Sequence, residues 1–149
     1  MNVFQRLRAA WLSADVVINP GADPSEIVAF ESKHSVKLPP EFKDYLMTVN
    51  GMADGATDDQ LISFLSLSAI DCEMSQREAP SRRSDVVFAE YLIHSHVYVI
   101  RKSPFRKQAW VFATDGRHER RLAGSFVEFV ERYLNRPAAV GAAALNDSH

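Results

Sequence analysis

Cysteine is nearly absent from this chain: Cys72 is the only one among 149 residues. A single thiol excludes an intramolecular disulfide, and without a cysteine pair there is no zinc ribbon, so a reducing compartment is expected. The six glycines are scattered, which excludes a glycine-rich phosphate loop. No apolar run approaches the roughly 20 residues of a membrane helix. The opening "MNVFQRLRAAWLSADVV" carries Arg6 and Arg8 inside its apolar pattern and lacks the apolar core of a signal peptide. The expected location is the cytoplasm, with no membrane partner. A basic excess is also missing: 17 Lys and Arg face 19 Asp and Glu, for a formal charge of -2 and a pI near 6.2. Direct nucleic-acid binding is therefore not expected.

What is present is an ordinary globular composition, 46% hydrophobic and 24% charged, long enough for one domain with a real core. Val3, Phe4, Leu7, Trp11 and Leu12 recur at helical spacing. Asp23, Pro24 and Glu26 form a helix-start signal before Ile27 and Phe30. Leu38 precedes Pro39 and is biased towards extended backbone. Pro40 suits a first helical turn, and Phe42, Tyr45, Leu46 and Val49 make one apolar stripe. Asn50-Gly51 reads as the C-cap of that helix. "LISFLSLSAI" is expected to be extended from Ile62 to Leu67. "VVFAEYL", "HVYVIR" and "AWVFAT" are β-branched and aromatic, hence strands, and "RHERRLA" follows the Asp115-Gly116 turn signal as a short polar strand. Ser125 and Glu128 predict a capping box for a last helix with Phe126, Phe129, Val130, Tyr133 and Leu134 inward. The order predicts a single α+β domain over residues 1–136, with a mainly antiparallel curved sheet of four to six strands and helices packed beside it. Residues 137–149 read as a small-residue tail, frayed or disordered.

"LPPEFKDYLMTVNG" resembles the Leu-Pro, aromatic-helix and Asn-Gly signature of the SUKH superfamily. "VVFAEYLIHSHVYVI" is similar to that family's strands, and "LAGSFVEFVERYL" to its closing helix. The family holds a yeast cell-wall-synthesis regulator and many bacterial toxin-immunity proteins. The resemblance implies a non-enzymatic protein without cofactors that binds a protein partner, most often a cognate toxin, with a regulator or scaffold of the same fold as the alternative. Leu38, Pro39, Tyr45, Asn50, Gly51, Phe88 and Phe126 stand at the matching motif positions and read as structural. A monomer or weak homodimer is expected.

Two constellations compete for the surface. Glu90, His94 and His96 would share one face of a continuous strand and could ligate a transition metal in a small enzyme, unless a hairpin bend near His94 parts them. Asp54, Asp58 and Asp59, joined by Asp71, Glu73 and Glu78, form an expected acidic partner-binding patch. The nearby Met52, Leu61 and Met74 offer it an apolar centre. The basic "RHERR" and "RKSPFRK" read as solvated strand ends and loops.

Overall fold

The structure, a computed structural model, describes residues 1–76, 85–92, 95–102 and 109–145. Three helices come first: α1 (Val3–Ser13), α2 (Pro24–His34) and α3 (Pro40–Thr48). β1 (Ile62–Phe64) and α4 (Leu67–Ser75) follow, then β2 (Val86–Tyr91), β3 (His96–Lys102), β4 (Ala109–Thr114) and β5 (Glu119–Ala123). α5 (Phe126–Asn135) and the short α6 (Pro137–Val140) close the described chain. The strands pair in sequence order, β1-β2-β3-β4-β5, and every pairing is antiparallel. The result is one open five-stranded meander within a single α+β domain. Register shifts at Val87/Ala89 in β2 and Val111/Phe112 in β4 mark bulges, which sharpen the local twist.

Aromatic packing explains why three distant motif blocks belong together. Tyr45 of α3, Phe88 of β2 and Phe126 of α5 are almost fully buried and meet in one cluster. The Tyr45–Phe126 centroids are 5.1 Å apart. The Phe88–Phe126 centroids are 5.2 Å apart at 82°, and Phe42 stands at 90° to Phe126 at 5.0 Å. Edge-to-face geometry of this kind adds about 0.5–1.5 kcal/mol per pair beyond area burial. α1, α3 and α5 contact one another above this cluster, while α2 lies on α4.

Several local expectations change. Leu65 to Leu67 do not continue β1. Ser66 turns the chain, its Oγ accepting from Ala69 N at 3.1 Å, and α4 begins at Leu67 because a side-chain cap satisfies an otherwise orphaned N–H. Asn50-Gly51 is not the C-cap of α3: the cap is Val49, in extended backbone. Gly51 has φ +66°, and a Cβ there would lie 2.5 Å from Leu65 O. Glycine is therefore required by the close approach of the β1–α4 junction. Asn50 Oδ1 accepts from Leu67 N at 2.7 Å, so the motif ends one helix by starting another. At α5, Ser125 Oγ accepts from Glu128 N, but Glu128 reaches back to Gly124 N rather than to Ser125. Leu12 is about half exposed and lies outside the buried face of α1. Residues 137–145 are packed instead of frayed: Val140 and Ala144 are buried, and Tyr98 OH donates to Val140 O.

Candidate functional site

The sequence-expected acidic patch loses Asp58 to the interior. Asp54 and Asp59 are exposed, Glu73 is half-buried, and Glu78 lies outside the described residues. Asp58 is buried at 8% exposure. One oxygen, Oδ1, accepts from Gln60 N at 2.8 Å and Ile62 N at 2.9 Å. The other, Oδ2, accepts from Tyr133 OH, and that hydroxyl accepts from Trp11 Nε1 at 2.9 Å. Asp58 is thus an internal tie joining α1, α5 and the start of β1. The need is physical: a buried N–H or hydroxyl left unpaired is costly. Burial first, and then the Asp58 charge, push the Tyr133 phenol well above its ordinary range.

Asp71 is also engaged. His34 Nε2 lies 2.6 Å from it and Lys33 Nζ 3.0 Å. These two hydrogen bonds, His34 first, hold the carboxyl below its usual value. Asp71 lines a depression between α2 and α4, and Asp54 a neighbouring one between the segment before α2 and the segment after α3; the two share Glu26 and Ser68, whereas Asp59 lines neither. Met52 is 1% exposed and belongs to the core, so it is no part of a surface centre. Met74 is half-buried against the core, and only Leu61, 44% exposed, remains available.

The Glu90–His96 set is separated by a hairpin. Glu90 pairs with Val97 and Tyr91 with His96. Adjacent positions on a strand face opposite sides, so Glu90 lies on the outer face and His96 on the core side. His94 lies outside the described residues. His96 is buried, stacked on Tyr91 at 4.7 Å and hydrogen-bonded to Tyr98 OH at 3.1 Å. Tyr98 spends its proton on Val140 O, so His96 Nε2 is the donor to the phenol oxygen. Burial pushes the imidazole below its ordinary 6.5, against a smaller upward pull from Asp115. Among the described residues, no group of three His, Cys, Asp or Glu side chains is placed to hold a metal.

The outer face of the sheet is organised by Arg101. Its guanidinium makes paired hydrogen bonds to Asp85, at 2.9 and 2.8 Å, and to Glu119, at 3.0 and 2.8 Å. It also lies 4.3 Å over the Phe112 ring. The planar fork suits two carboxylates at once, and both hold Arg101 firmly protonated. Sequence reading missed this knot because its members come from three strands and the start of a fourth.

It also missed a basic cleft. Arg120 and Arg121 on the edge strand β5, with Arg132 and Arg136 at the end of α5, line a hollow of about 450 Å³ floored by Leu122 and Val140. Arg132 donates to Leu122 O and pairs with Glu128 at 2.7 Å. Arg121 lies 5.3 Å over the Trp110 ring, and Arg120 Nη1 donates to Ala143 O at 3.3 Å. The available signal was two arginines on the last strand of a meander, followed by two more four residues apart. A larger groove, about 880 Å³, runs beside residues 34–40 and Lys43. Its far walls, Val86, Lys102 and Ala109, adjoin residues 77–84 and 103–108, outside the described set.

Comparison with curated proteins returned no match. No helix among the described residues is long and apolar enough to cross a membrane. The family model of the SMI1 / KNR4 family (SUKH-1) matches residues 21–132, from the segment before α2 to the last turn of α5. With the aromatic cluster, the Asn50-Gly51 junction and the five-stranded meander all inside that match, the chain belongs to the SMI1 / KNR4 family (SUKH-1), which includes toxin-immunity proteins and the KNR4 regulator.

Proposed function

We propose that this chain is an immunity protein: a non-enzymatic, cytoplasmic binder that neutralises a cognate bacterial toxin by direct contact. The family match over residues 21–132 is the observation that carries the reading. Leu38, Tyr45, Phe88 and Phe126 are absorbed by the core, and Asn50 and Gly51 by the junction with α4, so recognition falls to side chains the motif does not include. Two charged surfaces are on offer. The remainder of the acidic set, exposed Asp54 and Asp59 with half-buried Asp71 and Glu73, would meet a basic partner. The arginine cleft would meet an acidic one. A regulatory or scaffold protein of the same fold is the second reading, favoured by the same match.

The test is protection. The chain is co-expressed with the toxin encoded beside its gene, and growth is measured together with complex formation between the purified proteins. Restored growth and a stable complex are expected. Growth arrest that persists, with no complex at micromolar concentration, leaves the regulator reading instead.

A further inference from the structure

The mild net charge conceals a strong separation of charge. Arg6 lies beside the cleft through its 2.6 Å ion pair with Glu131. With Arg120, Arg121, Arg132 and Arg136, it sets five arginines against two glutamates, Glu128 and Glu131. Among the described residues outside the cleft, 7 Lys and Arg stand against 15 Asp and Glu. Within the described residues one edge is therefore positive and the remainder clearly negative.

From this we infer that the cleft between β5 and the α5–α6 corner receives an acidic segment of a protein partner. Carboxylates would lie on the arginines and apolar side chains on the Leu122 and Val140 floor. The inference rests on the binding-protein part of the proposed function and names the face that binds.

Three features support it. First, successive residues on a strand point to opposite sides, so Arg120 and Arg121 flank both sides of the sheet edge, and Arg132 and Arg136 approach it from the helix. Cations at a helix C-terminus complement its dipole, which accounts for Arg132 and Arg136, while Arg120 reaches Ala143 O and Arg121 the Trp110 ring. Second, the donors are partly pre-positioned. Arg132 is held by Leu122 O and Glu128, and Arg121 by the Trp110 ring. Less side-chain freedom is lost on binding as a result. The Leu122 carbonyl already accepts from Arg132, which favours recognition by side chains over addition of a strand there. Third, the chemistry favours carboxylates over a phosphate backbone. Glu128 and Glu131 stand inside the cleft and would repel a continuous polyanion. The apolar floor suits a segment that mixes acidic and apolar residues, and the chain as a whole is negative.

The test uses fluorescence anisotropy with the full chain and three labelled probes: a peptide of alternating glutamate and leucine, one of alternating lysine and leucine, and oligothymidylate. The glutamate peptide is expected to bind most tightly, with affinity falling as salt rises. The double variant R121E/R136E should weaken it at least about tenfold, and D54K/D59K should not. Both altered pairs are exposed, and thermal melts confirm folding. If R121E/R136E melts early, R121Q/R136Q replaces it, with the same direction of change expected. Equal binding of the glutamate and lysine peptides, tighter binding of oligothymidylate, or an unchanged affinity in the folded double variant overturns the inference. Protection assays separate the two readings. R121E/R136E that still neutralises the toxin removes the cleft and leaves the immunity function. Peptide binding that R121E/R136E abolishes, in a chain that protects against no toxin, supports the cleft and removes the immunity function.

Discussion

Asp58→Ala is the perturbation that most directly probes the difference between a surface carboxylate and an internal tie. The substitution removes the acceptor for Ile62 N and for Tyr133 OH, both buried, and for Gln60 N, which is partly exposed. Gln60 N can turn to water, but the other two cannot do so freely. Each buried orphan costs about 1–3 kcal/mol, which puts the loss at about 2–6 kcal/mol. A domain has only about 5–15 kcal/mol in total, so Asp58→Asn is the gentler companion. It keeps one carbonyl acceptor and should lose about 1–3 kcal/mol. The measurement is urea denaturation followed by circular dichroism and by the fluorescence of Trp11 and Trp110. Combining Asp58→Asn with Tyr133→Phe closes a double-mutant cycle, with a coupling of about 0.5–3 kcal/mol expected for groups in direct contact. A loss below about 1 kcal/mol for Asp58→Ala, or zero coupling in the cycle, would refute the reasoning. Asp58→Lys in a partner-binding screen is therefore expected to abolish binding by unfolding the chain, not by removing a contact.

Two further outcomes follow from the same geometry. Gly51→Ala adds a Cβ 2.5 Å from Leu65 O at φ +66°, while Gly55 has φ +81° and open space around it. Gly51→Ala should cost about 2–5 kcal/mol and Gly55→Ala only the conformational part, about 1–2 kcal/mol; equal losses in denaturant melts would count against the close approach. For His96, the unfolded chain takes up a proton near 6.5 while the buried imidazole resists it. Its contribution is complete above that value and declines as pH falls below it towards the lower folded value. Stability between about pH 7 and 5 should fall more gently in His96→Phe than in the parent. The depressed carboxyls of Asp71 and Asp115 lose their contribution only below about 3.8, outside this window, so a slope unchanged by the substitution would exclude His96 as its source.

Much of the fold was legible because it is written in local periodicity. The β-branched runs became β2, β3 and β4, and the aromatic spacing from Phe126 to Tyr133 became the buried face of α5. What failed was anything decided by distant neighbours. Asn50-Gly51 announced a positive φ, but the sequence could not show that Leu65 O would be the atom approaching it. Asp58 and Asp59 are adjacent and chemically alike, and the local turn to Ile62 N together with the distant Tyr133 makes one buried while the other is exposed. Ser66 looked like part of an apolar run because its capping role depends on the periodicity of Leu67, Ile70 and Met74 beyond it. The arginine cleft combines a strand end with a helix end, and each alone reads as ordinary solvated charge.

The sequential strand order has a consequence for how the chain acquires its structure. Each strand pairs with the strand next to it in sequence; from β2 to β5 the connections are short, which is the rapid kind of contact, whereas α4 stands between β1 and β2. The N-terminal helix is different. Trp11 meets Tyr133 across 122 positions and Arg6 meets Glu131 across 125. α1 therefore cannot complete its seat until α5 has been made. α1 can rest on α3 and β1 through Phe4–Tyr45 and Trp11–Phe64 before α5 exists, but the part of its face that meets α5 stays uncovered until that helix is made. In refolding experiments, substitutions on that face should act on the unfolding rate more than on the folding rate. A folding rate that falls with stability at Leu7 would place α1 in the nucleus instead.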